Sequence, residues 1–323
     1  MKQLWAIGIL ASAISLRAVP IIVISPNNIN TASGYSISSN GNYLLSDDVN
    51  PTAVTSGNKA ILITSSHVVL DLNNKTIFGS GGGGIGITNA GNVTIRNGKI
   101  FNSLDSGISG TNVTSVTIEN IISSSNKQMG INLSGGAQCF IRVCTTEANT
   151  STGISVFTKD TQVLNCTSEN NNSGLTINGE NVRITGGQYN RNAASGITVV
   201  TSTQVVIEQL QANDNGGQAG ISLQSGADFL VNNCLTQHNT GTGVAVLSSV
   251  AFGVVRNSMA LHNSVDGFSN NSGNSTFAGN FAYGNVSNNY GGTGPIGFMT
   301  LSNGGQFPLG STSDVTANNI SIV

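Results

Sequence analysis

The chain has 323 residues, only 8% of them charged, and a formal net charge of −2. So sparse and balanced a charge leaves no basic stripe to neutralise phosphates, which excludes nucleic acid as a partner class. Gly, Asn, Ser and Thr abound, yet Ile, Val and Leu recur at regular spacing, and that pattern excludes a disordered chain.

Residues 1–18 have the pattern of a signal peptide. Lys2 supplies a positive start, Leu4 to Leu16 is apolar but short for a membrane span, and Ala11-Ser12-Ala13 offers small residues for cleavage. The expected location is therefore secreted, periplasmic or cell-surface, with no transmembrane helix in the mature chain. Residues 19–59 read as an irregular N-terminal cap, with strand candidates at Gly34–Ile37 and Tyr43–Ser46. A cap is needed because an open end of stacked strands recruits other chains. Ala60–Ile63, Val68–Leu72 and Thr76–Phe78 form a first coil, and the glycine run from Gly79 to Gly84 reads as a flexible hinge.

From Gly84 one pattern is written eight times, opening Gly84-Ile85, Gly107-Ile108, Gly130-Ile131, Gly153-Ile154, Gly174-Leu175, Gly196-Ile197, Gly220-Ile221 and Gly243-Val244. Gly267-Phe268 begins a ninth. The gaps are 23, 23, 23, 21, 22, 24, 23 and 24 residues, the signature of a solenoid. Period-two alternation places three strands in each repeat: Gly-Ile-x-Ile, a Val-x-Ile segment such as Val116-Thr117-Ile118, and a weaker third around Ile100, Ser123 and Tyr189. Asparagines recur before the opening glycines (Asn126, Asn149, Asn171, Asn192, Asn215, Asn239, Asn263) and after the second strands (Asn97, Asn120, Asn165, Asn233, Asn257). Stacked amides there satisfy one another and the turn backbone. No proline falls between Pro51 and Pro295 to interrupt the pairing. Past Gly267 the pattern frays into an aromatic coil, and residues 291–323 read as a C-terminal cap.

These residues resemble the right-handed parallel β-helix proteins, within them the pectate-lyase-like superfamily and the repeat of carbohydrate-binding proteins and sugar hydrolases. Val69–Gly79 followed by Asn92–Gly98 is similar to the start of many bacterial members. The resemblance implies an all-β, single-stranded right-handed parallel β-helix of about ten coils of 21–24 residues, over residues 60–290 and capped at both ends. It also implies polysaccharide as the partner class. The fold hosts many activities, so function rests on the site.

Enzymes of this fold carry carboxylates, Arg or Lys, or a His/Tyr pair along one outer face. The outward positions of the first strand here are Ser109, Asn132, Ser155, Thr176, Thr198 and Ser222, a small neutral face with no acid pair for glycoside hydrolysis. The paired aspartates of polygalacturonases, the Arg-x-Pro-x-x-Arg of pectate lyases and the Asp-Pro-His of alginate epimerases have no counterpart in the coils. The face therefore suits glycan binding on a non-catalytic surface or secreted protein. A polysaccharide lyase, hydrolase or C5-epimerase is the alternative, and a structural or adhesive spike the third reading. Catalytic candidates are confined to one column, Arg191, Asp214, His238 and His262, each one residue before the asparagine ladder. Neighbours ~4.8 Å apart would bring Asp214 to His238 for acid–base work.

Other features read as structural. Lys159-Asp160 with Glu180 offers fewer oxygens than calcium takes, so it reads as a surface ion pair and no cofactor or metal is expected. Arg96, Glu119 and Arg142 alternate in sign on successive coils. Cys144, Cys166 and Cys234 share an inward site, and whether Cys144 and Cys166 pair is open, as is the oligomeric state. Val206, Leu230 and Val254, with Phe140 lower down, form an outward apolar stripe that the C-terminal tail is expected to cover.

Overall fold

A computed structural model describes residues 20–294. The expected signal peptide, and all of the C-terminal cap beyond Gly294, lie outside the described residues, as does the tail expected over the apolar stripe. Within 20–294 the chain is a parallel β-solenoid of about 12 turns with almost no helix, close to the expected ten coils. The single short helix among the described residues is Pro26–Ile29. No helix there is long and apolar enough to cross a membrane.

Winding begins earlier than the sequence suggests. Ile21–Ile24 pairs in parallel with Gly41–Leu45, which pairs with Val68–Phe78, and Tyr35–Ile37 pairs with Lys59–Ile63. The region expected to be an irregular cap is thus already coiled in register with the repeats. Two of its strands coincide with the candidates at Gly34–Ile37 and Tyr43–Ser46, but Ile21–Ile24 and the coiled pairing escaped notice because the region lacks the opening Gly-Ile. The glycine run is not a hinge. Gly82 to Gly84 are buried, and a Cβ on Gly81 would lie 2.1 Å from the Val54 carbonyl oxygen, on Gly82 2.1 Å from that of Asn58. The run lets the first regular coil seat against the backbone beneath it.

Inside, equivalent residues stack into columns. Ile61, Ile85, Ile108, Ile131, Ile154, Leu175, Ile197, Ile221, Val244 and Phe268 are register partners in turn, all fully buried. The second strand adds Leu70, Ile95, Ile118, Ile141, Val163, Ile184, Ile207, Val231 and Val255, equally dry. Each coil shares its apolar surface and strand hydrogen bonds with the next, which is why no single coil is stable alone.

The third strand faces inward with Ser123, Thr146 and Ser168, polar yet buried. Their hydroxyls belong to the asparagine ladder. Asn126 donates from its backbone N–H and its amide to Asn149 Oδ1 (3.0 and 2.8 Å), and Asn149 does the same to Asn171 (2.9 and 2.9 Å). The pattern continues through Asn192, Asn215, Asn239 and Asn263, and runs on to Asn285. The opening glycine follows from this ladder. A Cβ on Gly153 would lie 2.0 Å from Ser168 Oγ and 2.7 Å from Asn171 Nδ2, and on Gly174 2.3 Å from the Gly196 carbonyl oxygen.

Corners of the coils are closed, through most of the stack, by residues in the left-handed region. His67, Asn92, Ser115, Gln138, Asp160, Asn181, Gln204 and Asp228 occupy the corner before the second strand, and Asn97, Asn120, Val143, Asn165, Gln209, Asn233 and Asn257 the next. Asn102, Ser125, Ala148, Asn170, Arg191, Asp214, His238 and His262 occupy the third, with φ between 52° and 57°. Asn tolerates this conformation best among residues with side chains, so the second asparagine series is explained by the backbone it adopts.

Candidate functional site

The column of Arg191, Asp214, His238 and His262 has a structural duty that the sequence did not reveal: it is the third corner. Because its backbone turns left-handed, its side chains project outward and are exposed. The structure brings Asp214 and His238 together, Oδ1 to Nδ1 3.8 Å, with both side chains about half exposed. His238 stacks on His262 with centroids 5.6 Å apart and planes at 11°, and His262 meets Tyr283 edge-on at 5.6 Å. Arg191 does not join them, because its guanidinium is held by Glu169 of the coil below. The expected four-residue set is therefore an Asp–His–His set extended by Tyr283, which sequence reading left out. Tyr283 precedes Gly284 at the corner of the last aromatic coil, and that register could have flagged it. Among the described residues no group of three or more His, Cys, Asp or Glu side chains is arranged to hold a metal ion.

The first-strand face is built as expected. Ser109, Asn132, Ser155, Thr176, Thr198 and Ser222 are successive register partners. Their accessibility is uneven. Ser155 and Ser222 are each 1% exposed, and their hydroxyls have no hydrogen-bond partner among the described residues. Ser109, Asn132, Thr176 and Thr198 are half-buried and present their polar groups to solvent. The lower end of the face is covered by Lys59. Its stem would meet a Cβ on Gly83 or Gly86, and its ammonium pairs with Asp105. The face is thus about four coils of accessible hydroxyl and amide groups, narrower than six named positions imply.

Around it, charge is neutralised locally. Arg96 pairs with Asp71 (2.9 Å), Arg142 with Glu119, Arg183 with Glu208 and Lys159 with Glu180 (2.7 Å). The sign alternation of Arg96, Glu119 and Arg142 is two such pairs on adjoining coils. The Glu180 carboxylate holds the Lys159 ammonium above its ordinary range. The cysteines are buried free thiols, and burial pushes Cys144 up and Cys234 up to about 11. Val206, Leu230 and Val254 do align as one outward stripe. Phe140 shares their column but is parted from them by Gln162 and Arg183.

The turn between first and second strands holds a cleft of about 290 Å³, lined by Phe157, Lys159, Asn178, Glu180, Thr201 and Thr203 among others. Sequence reading saw only its ion pair.

No curated protein sequence matches the chain. Residues 59–212 match the family described as right handed beta helix region. Among solved structures, the A-module of mannuronan C-5 epimerase AlgE4 from Azotobacter vinelandii is similar with a TM-score of 0.64 at 15% identity, covering 87% of each chain. PfbA, a surface adhesin of Streptococcus pneumoniae, is similar with a TM-score of 0.55 at 13% identity, covering 93% of this chain and 99% of that one. The Dettilon tailspike protein scores 0.55 at 12% identity, over 84% of this chain and 61% of its own. Identities so low speak for the fold alone. Continuous parallel pairing from Ile21 to Gly292, the buried aliphatic columns and the match over residues 59–212 converge on one description: the chain has the fold of a right-handed parallel β-helix.

Proposed function

We propose that the protein is an exported, non-catalytic β-helix that binds glycan chains along the face of its first strands. One observation carries the reading: Ser109, Asn132, Thr176 and Thr198 present neutral donors and acceptors on stacked coils, with no carboxylate or cation among them. Coils ~4.8 Å apart set a repeat close to the length of one sugar unit, and hydroxyl and amide groups match the two-way hydrogen bonding of polyols. Support for the partner class comes from neighbours whose names include a mannuronan epimerase and a surface adhesin. Export rests on the Lys2 and Leu4–Leu16 pattern.

Affinity electrophoresis through gels loaded with neutral or acidic polysaccharides tests the reading. Retardation of the wild-type chain by at least one polymer, relieved in a Thr176→Lys/Thr198→Lys variant, supports it. Mobility unchanged in every gel contradicts it.

A second reading, a lyase, hydrolase or C5-epimerase, is favoured by the approach of Asp214 to His238 and the stacking of His238 on His262. It requires that Asp214→Asn and His238→Ala abolish a polysaccharide-modifying activity while leaving the fold intact. Full activity in both variants would show the column to be inert.

A further inference from the structure

We infer that the cleft beside Phe157 is a subsite for one neutral pyranose ring, with Phe157 as its stacking platform. The inference rests on the glycan-binding reading and adds to it a place and a sugar class. The cleft arises from chain length. One residue separates Phe157 from Lys159, where two separate their partners Ser134 and Ala137 on the coil below. Two residues separate Ile177 from Glu180, where three separate Val199 from Thr203 on the coil above. Two short turns therefore lie between two longer ones, and the surface dips at the coils opened by Gly153 and Gly174. Those coils give the two shortest gaps of the repeat, 21 and 22 residues.

The lining chemistry fits a sugar. Phe157 is 39% exposed on an otherwise small-residue face and continues the outward row of Ser155. An aromatic face carries partial negative charge, which suits the C–H face of a pyranose. Opposite it, Asn178, Thr201 and Thr203 supply an amide and two hydroxyls for ring hydroxyl groups. Gly179 lets the two short turns approach closely at this cleft, since a Cβ there would lie 2.1 Å from the Thr158 carbonyl oxygen. At about 290 Å³ the space is at the small end of ligand sites, ~300–1,000 Å³, which suits one unit of a chain.

Charge selects the class. Lys159 and Glu180 pair at 2.7 Å across the rim, and Asp160 is held by the Asn181 amide at 2.6 Å. Among the described residues lining the cleft no cation is left over to receive a uronate carboxylate, so a neutral ring is favoured over an acidic one.

The test is amide chemical-shift titration of the full chain with methyl β-D-glucopyranoside, methyl β-D-galactopyranoside, methyl α-D-mannopyranoside and sodium methyl galactopyranosiduronate. At least one neutral glycoside is expected to shift the amides of Thr158, Gly179 and Thr203. The uronate should leave them unmoved, and Phe157→Ala should weaken binding about tenfold while Phe157→Trp retains it. Because the Phe157 side chain is exposed, an unchanged melting temperature separates lost contact from lost fold. No shift at these amides with any neutral glycoside, or equal binding by Phe157→Ala, overturns the subsite. The outcome is distinct from that of the wider reading: polysaccharide retardation that survives Phe157→Ala removes the subsite and leaves the face, whereas loss of retardation with glycoside shifts intact removes the face and leaves the subsite.

Discussion

Val143 sits at a corner with φ 52° and 59% of its surface exposed, between coils that place Asn120 and Asn165 at the same position. A β-branched side chain in the left-handed region is strained by about 1–2 kcal/mol, a cost Asn largely avoids. Val143→Asn is expected to stabilise the protein by roughly 1 kcal/mol, read as a higher denaturation midpoint with unchanged slope. A second residue-scale effect concerns pH. Burial raises the Cys234 thiol from 9.0 to about 11. The unfolded chain therefore ionises first, so this group's contribution is intact below pH 9 and is lost as pH rises towards 11. That loss is on the order of 2–3 kcal/mol. Chemical denaturation across that range should show falling stability, with a shallower fall in Cys234→Ala. Neither effect was legible beforehand: the sequence marks Val143 only as a gap in an asparagine series, and Cys234 only as an inward position.

At the scale of the coil, the ladder and the opening glycine are one device. Asn192 accepts from the backbone N–H and the amide of Asn171 and donates to Asn215 Oδ1 and the Ser168 carbonyl. Asn192→Leu should cost roughly 3 kcal/mol or more, because it leaves several buried polar groups without partners. Equilibrium unfolding measures it, and a cost below about 1 kcal/mol would mean that the ladder contributes little. Gly174→Ala meets a backbone carbonyl rather than a movable side chain and should also destabilise by several kcal/mol, on the order of other core overpacking changes. The ladder was readable because it recurs at the repeat period. The reason for the glycine was not, since it depends on which neighbour the absent Cβ would strike. The third corner escaped for a related reason. Backbone handedness leaves no single residue type behind, and Arg, Asp and His there resemble an active-site set.

For the whole molecule, sequence periodicity was sufficient to specify the parallel stack, because every coil repeats the same inward aliphatics. It failed at the ends, where Ile21–Ile24 and Gly41–Leu45 coil without the repeat's opening pair. It also overstated the face, since Ser155 and Ser222 are buried although alternation places them outward. Charge on this solenoid is sparse and partly neutralised: the outward Arg residues at 96, 142, 183 and 191 each pair with a carboxylate, while Arg256 has no ion pair among the described residues. A surface with so few charges is suited to hold a polymer through many weak neutral contacts. The most direct test is to incubate the full chain with a polysaccharide that retards it, then recover that polymer for size-exclusion and sugar-composition analysis. The account predicts bound polymer of unchanged length and composition, with binding reduced in Thr176→Lys/Thr198→Lys. Shortened chains, unsaturated ends or C5-inverted units, abolished by Asp214→Asn, would contradict it.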